Sequence, residues 1–332
     1  MESLFRELIS KYFGDLDYST EPVPFGLTNF SRIITVKDRK YIARIYDRHT
    51  KNLENLLFEI ELVTFLENCD LSFKVPGFLP TRSGHKYVEL QGNRLGSVVP
   101  FIEGVIPDIN SSNDVKEMGR TVGEISKAFE EFQTDLHTPA IQFSRFYDLH
   151  PLSSEETVAQ FLLNPPFVVD DSHMALFRNL LDQFQPEHIL LSHLPHQIVH
   201  HDLLIFNLLI GNNGKMNGVL DFDFASIDIR AFEPAICINH LLQFEDRTLD
   251  YLEIFLKAYS AYMKLSMAEI DMIPNLIRLY YLSLLCIYIG QYYSGKAVKD
   301  HFTFIIAQMS ARDYWLKENK DNLKQTLIHL VY

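Results

Sequence analysis

The chain has 332 residues, 47% of them hydrophobic and 22% charged, and its 43 acids against 30 bases leave a net charge of −13. That length suggests two domains, or two lobes of one fold, around a substantial core, and the acidic balance excludes a general attraction to nucleic acid or anionic lipid. The three cysteines, Cys69, Cys237 and Cys286, form no paired motif, which argues against a disulfide framework or a cysteine zinc site and fits a reducing, cytoplasmic compartment.

The first segment, "MESLFRELISKYFGDLD", reads as an amphipathic helix with acids in it, without the basic start and long apolar core of a signal peptide. "FSRIITV" (30–36) and "KYIARIYD" (40–47) alternate apolar and polar residues around "KDR", the pattern of a hairpin. "NLENLLFEIELVTFLEN" (52–68) has a helical period. "VPGFLPTRSGHKYVEL" supplies a loop and a strand around a Ser-Gly turn, and "NRLGSVVPFIEG" (93–104) closes this strand-rich region. From about residue 112 helices dominate: 173–186, 231–245, 248–264, 272–293 and 298–319 all carry the period, and Ser153 with Glu156 and Ser266 with Glu269 read as capping boxes. "LIRLYYLSLLCIYIGQYY" (276–293) is the most apolar stretch, but Arg278 interrupts it and its uncharged part falls short of the ~20 residues of a membrane span, so it reads as a buried helix. The expected fold class is α+β, with a small strand-rich lobe over residues 1–99 and a larger, mainly helical lobe over 100–332.

One strand-rich island interrupts the helices: "HQIVHHD", "NLLIG" and "NGKMNGVLDFDFAS", with "GNNGKMNG" as the turn of a hairpin. Asp202 follows a strand, Asn207 comes five residues later, and Asp221 follows the next strand. Phosphoryl transfer from ATP needs an acceptor for the substrate hydroxyl proton, oxygen ligands for Mg²⁺ and a hold on the phosphates. The order H-x-D-x-x-x-x-N followed by Asp-Phe is that of a kinase catalytic loop. It makes Asp202 the catalytic base, Asn207 and Asp221 the Mg²⁺ ligands, and His200 a buried scaffold residue. Asn and Asp beside a hairpin also form turns; what favours the site is Asp221 after a second apolar strand, within the two-lobe order. His193, His196, His200 and His201 do not space as a zinc cluster, and there is no HExxH.

The nucleotide side is carried by weaker patterns. Gly26 and Asn29 precede the first hairpin strand, where a loop can cover phosphates with backbone amides. Arg44 stands in an apolar strand, where a cation needs a partner; the phosphates, Glu59 on the apolar face of the following helix, or Glu61 can provide it. Val99 and Phe101 are the candidates for offering backbone groups to an adenine edge.

These residues resemble the aminoglycoside phosphotransferase and choline kinase superfamily, small-molecule kinases with a bilobal, protein-kinase-like fold, over nearly the whole chain. Within it, "LDFDFASIDIRAFEPAICINHLLQF" (220–244) looks most like the type II homoserine kinase branch. The resemblance implies ATP- and Mg²⁺-dependent phosphorylation of a hydroxyl on a small molecule, with no nucleic acid or membrane partner. It also implies Asp228 as a substrate residue. An acceptor bearing an amine, such as homoserine, choline or an aminoglycoside, suits acids near the cleft, for which Glu103, Asp108, Asp228, Glu233 and Glu245 are candidates. Two departures stand out: His201 replaces the glycine of His-Gly-Asp, and Arg44 replaces the nucleotide-strand lysine. Glu233-Pro234 also stands where Asp-Leu is expected. These motivate the alternative of a catalytically weak or silent kinase fold. A protein kinase is disfavoured, because no Ala-Pro-Glu segment follows "DFD".

Overall fold

The structure, a computed structural model, describes residues 1–23, 29–47, 51–136, 142–185, 191–243 and 247–332. Its residues fall into two compact units: Met1–Asp108 with Glu131–Pro139 and Ile205–Asp223, and Ile109–Glu130 with Ala140–Leu204 and Phe224–Tyr332.

In the first unit a helix, α1 (Glu2–Phe13), lies on a five-stranded antiparallel sheet of order β1-β2-β3-β5-β4. The strands are β1 (Ser19–Pro22), β2 (Phe30–Val36), β3 (Arg39–Ile45), β4 (Val88–Leu90) and β5 (Arg94–Pro100). Alternation places Ile34, Val36, Ala43, Ile45, Val88, Leu90 and Val98 on one face, where they meet Phe5, Leu8, Ile9 and Tyr12 of α1. The β2–β3 turn is made by Lys37 and Asp38, both left-handed (φ 48° and 63°), the mirror-image turn that matches strand twist. It sets the register that puts Ser31 opposite Arg44. The helix α2 (Leu53–Glu67) starts where the Asn52 side chain accepts the Asn55 N–H at 2.8 Å. The hairpin β7 (Leu208–Ile210) and β8 (Met216–Val219) joins this unit through bridges Val105↔Ile210 and Lys74↔Gly218.

The second unit surrounds a two-stranded ladder, β6 (His196–Val199) with β9 (Ser226–Ile229), by helices. These are α3 (Ser112–Phe129), α4 (Glu155–Leu163), α5 (Asp171–Phe184), α6 (Phe232–Leu241), α7 (Thr248–Tyr259), α8 (Met267–Tyr293), α9 (Lys299–Glu318) and α10 (Lys320–Val331). Gly119 and Gly123 lie one turn apart on α3, and a Cβ there would fall 2.2 Å from Phe255 O and 2.7 Å from Tyr259 O of α7. Only glycine lets these backbones come so close. The Ser266–Glu269 capping box opens α8, whereas α4 is capped by Ser154, not by Ser153, whose hydroxyl donates to the carbonyls of Tyr147 and His150. By length and composition α8 could cross a membrane, yet 67% of its most apolar window is buried among the other helices, and Arg278 within it pairs with Asp313 at 2.8 Å.

Candidate active site

The first unit gathers five charged side chains at one end of its sheet. Glu59 projects from the apolar face of α2, one turn before Leu62 and Val63, and is buried. A buried carboxylate needs a cation, and Lys51, just ahead of the helix, provides one. Its Nζ lies 2.6 Å from Glu59 Oε2 and 3.2 Å from Asp223 Oδ1, with 3% of the side chain exposed. Glu59 therefore belongs to Lys51, not to Arg44 as the sequence suggested, and Glu61 accepts the Thr134 hydroxyl instead. Arg44 reaches Asp221 Oδ1 at 3.1 Å and Asp223 Oδ1 at 3.5 Å. Both cations also lie over the ring of Tyr46, whose hydroxyl is 2.9 Å from Ser97 Oγ. Asn29 donates to Asp223 Oδ2 at 2.5 Å and accepts the Asp47 N–H at 3.1 Å, which ties Asp223 to the end of β3.

Electrostatics follow from this packing. Burial pushes Asp223 up, but Lys51, Arg44 and the Asn29 amide outweigh it and hold the carboxyl at about 2. For Glu59 burial wins over the Lys51 charge, and its carboxyl is pushed up to about 7. Burial also raises Asp221, against the pull of Arg44.

Asn207 ends a 3₁₀ turn (Ile205–Asn207), and its carbonyl accepts the Leu220 N–H at 2.8 Å. That bond brings Asn207 and Asp221 to the same end of the β7–β8 hairpin. Asp221 has a left-handed backbone, φ 62°. Among the described non-glycine residues only His201 shares a positive φ outside the turn residues Lys37, Asp38 and Asn93. A non-glycine residue held there costs energy and is a recognised mark of a functional position. Phe101 donates its N–H to Lys40 O at 3.2 Å, and Val99 sits in the β3–β5 ladder opposite Ile42. Gly26 and Glu245 lie outside the described residues.

In the second unit the loop leaving β6 carries His200, His201 and Asp202. His200 is fully buried; its N–H donates to Glu233 Oε2 at 2.6 Å and its Nδ1 accepts the Asp202 N–H at 3.2 Å. Cys237 Sγ donates to Leu203 O at 3.2 Å. Helix α6 thus grips the backbone on both sides of Asp202, which is itself half-buried.

His201 explains its own departure from glycine. Its φ is 65°, the region glycine enters freely and histidine more often than most residues. The ring offsets this strain: Nδ1 is 3.0 Å from Phe224 O, Nε2 is 3.0 Å from Asp228 Oδ2, and the ring stacks on Phe143 at 4.4 Å and 16°. Asp228 also accepts the N–H groups of Phe143 and Ile229, each at 2.7 Å. Asp228 and Glu233, expected against an acceptor, are both 0% exposed and engaged by backbone N–H groups of this region, so they hold the loop rather than face solvent. Burial pushes Glu233 up to about 7, the His200 N–H opposing it.

The fold and the sequence have counterparts among known proteins. The family model described as "Phosphotransferase enzyme family" matches residues 19–270. The chain belongs to this family. A homoserine kinase of Methylobacterium radiotolerans is 25% identical over 285 residues, covering 83% of this chain and 82% of that protein. A microcompartment-associated aminopropanol kinase shares the fold at TM-score 0.68 and 14% identity, covering 98% of this chain and 99% of that one. So does the amicoumacin kinase hAmiN, solved with AMP-PNP, Ca²⁺ and Ami, at TM-score 0.69 and 14% identity over 95% and 93% of the two chains. The phosphotransferase therefore has the α+β, protein-kinase-like fold, and it is a small-molecule kinase acting on a hydroxyl acceptor.

Proposed function

We propose that this phosphotransferase moves the γ-phosphoryl group of ATP to the hydroxyl of a homoserine-like amino alcohol. Asp202 accepts the hydroxyl proton. Its backbone is fixed by His200 and by the Cys237–Leu203 bond, so the half-buried carboxylate meets the substrate already oriented. Residues 1–99 hold the nucleotide and residues 100–332 carry catalysis and the acceptor.

Asp221 and Asn207 would hold Mg²⁺. One carboxylate and one amide at the end of a hairpin are the hard oxygen donors this ion takes while keeping several waters. When bound, the ion neutralises charge on the phosphates. Lys51, oriented by Glu59, and Arg44 supply the protein's own positive charge for the phosphate groups, while Asn29 and Asp223 hold these cations in place. With Glu59 pushed up to about 7, the five charged side chains, Glu59, Asp221 and Asp223 against Arg44 and Lys51, sum to between 0 and −1 near neutral pH, so a divalent cation and a polyanion can enter together without leaving a large net charge. The amine expected of the acceptor remains part of this reading, supported by the homoserine kinase relatives.

The observation that carries the reading is the run Asp202, Asn207, Asp221, with Asp221 in a left-handed backbone and paired with Arg44. Both departures that favour a silent kinase have a physical compensation: the His201 ring for its backbone, and Lys51 for the missing strand lysine. ADP release measured over a panel of hydroxyl acceptors tests the proposal. Turnover on an amino alcohol with MgATP supports it; nucleotide binding without turnover on any acceptor contradicts it.

A further inference from the structure

Arg44 occupies a carboxylate that the kinase chemistry needs for a metal ion. Its Nη1 lies 3.1 Å from Asp221 Oδ1, in a hydrogen bond as well as an ion pair. A divalent cation held by Asp221 would share that carboxylate with a guanidinium. Like charges on one half-buried carboxylate repel, and far more strongly than they would in bulk water. Arginine and metal are therefore competitors for Asp221.

The rest of the cluster decides which contact can open. Lys51, Glu59 and Asp223 form a buried frame, their side chains at most 14% exposed, and Asn29 holds the second oxygen of Asp223. Arg44 and Asp221 are the exposed edge of the cluster, at 21% and 35%. On β3, Arg44 stands between Ser31 and Ser97 of the neighbouring strands, so short side chains flank it on both sides. It also has a second seat: the same Nη1 is 3.5 Å from Asp223 Oδ1, which belongs to the frame. Arg44 can release Asp221 and stay paired, so opening this contact leaves no cation stranded.

A polyanion is what can draw the guanidinium away. Phosphate oxygens match its planar fork and accept two N–H groups at once. Nothing in a bare metal ion attracts it. A lysine would carry the same charge on a shorter stem and as a single point, so the competition belongs to arginine and not to positive charge alone.

We propose that Arg44 closes the Asp221 metal site until nucleotide phosphates take up the guanidinium, so that the chain binds its divalent cation together with the nucleotide and not before it. This rests on the kinase reading above and adds the order in which that site is loaded. The test uses Mn²⁺ as the probe, titrated into the nucleotide-free full chain and followed by the electron paramagnetic resonance signal of free Mn²⁺, with circular dichroism to confirm that each variant is folded. The native chain should bind Mn²⁺ weakly. Arg44→Lys, which keeps the charge, should bind it about tenfold more tightly, the size of a typical coupling between two ligands. Adding Asp221→Asn to Arg44→Lys should abolish that gain. Arg44→Lys binding Mn²⁺ no more tightly than the native chain overturns the closure, makes Arg44 a fixed strut, and leaves the kinase reading standing. A gain that survives Asp221→Asn overturns both the closure and the assignment of Asp221 as a metal ligand.

Discussion

Replacing His201 by glycine puts a number on the exchange made at the catalytic loop. Glycine would relieve a left-handed backbone at φ 65°, worth about 1 kcal/mol. It would also remove the ring. The ring faces two acceptors with one N–H of a neutral imidazole; given to the Asp228 carboxylate it is worth about 2 kcal/mol, and the stack on Phe143 adds about 1 kcal/mol. The net expectation is a loss of about 2 kcal/mol for His201→Gly and about 3 kcal/mol for His201→Ala, since alanine keeps the strain and loses the ring. Trp315, the only tryptophan, lies in the same unit as His201, so its fluorescence during urea denaturation reads this unit directly. A glycine variant as stable as the native chain would refute the compensation. An alanine variant more stable than the glycine one would refute the left-handed backbone.

Asp202→Asn should lower kcat about 1000-fold with the fold intact by circular dichroism, the size of effect expected for losing a proton acceptor; a drop under tenfold would remove Asp202 from the chemistry. Lys51→Met strands Glu59 and weakens the hold on Asp223, and should cost about 3 kcal/mol of stability and weaken ATP binding, both readable as thermal shifts with and without nucleotide. An unchanged melting curve would show that the pair contributes nothing. Glu233 has a folded pKa of about 7, above its ordinary value, so the folded state binds the extra proton and its stabilising contribution is present at low pH and lost as pH rises through 7. Over that window the native chain should lose about 3 kcal/mol that Glu233→Gln does not lose. Parallel stability curves between pH 5 and 8 would contradict it.

Much of the fold was legible because local chemistry decides it. The alternation of 30–36 and 40–47 gave the hairpin, the period of 52–68 gave α2, and Ser266 with Glu269 gave the start of α8. The spacing of Asp202, Asn207 and Asp221 was legible for the same reason, as a loop and hairpin are short-range structures. β1 escaped notice because it is a four-residue edge strand with every residue exposed, so no apolar alternation marks it. The helix read over 298–319 ends where α9 does, but α10 (Lys320–Val331) went unread, because its start at Asn319 lies in a polar run with no side-chain cap to signal it. Partners were the hardest to read. Lys51 stands in a polar turn eight residues before Glu59, where a lysine looks solvated, and only the folded sheet brings Asp223 to it. Asp228 and Glu233 read as acids facing an acceptor in the cleft for the same reason: their partners are backbone N–H groups and a histidine ring, which spacing does not reveal.

The direct measurement is phosphorus NMR of MgATP and L-homoserine incubated with the native chain and with Asp202→Asn. The native chain should give ADP and a phosphate monoester in equal amounts, with the variant giving neither above background. ADP formed without a phosphorylated acceptor, or the same ester from both proteins, would contradict the role of Asp202 and the small-molecule kinase built around it.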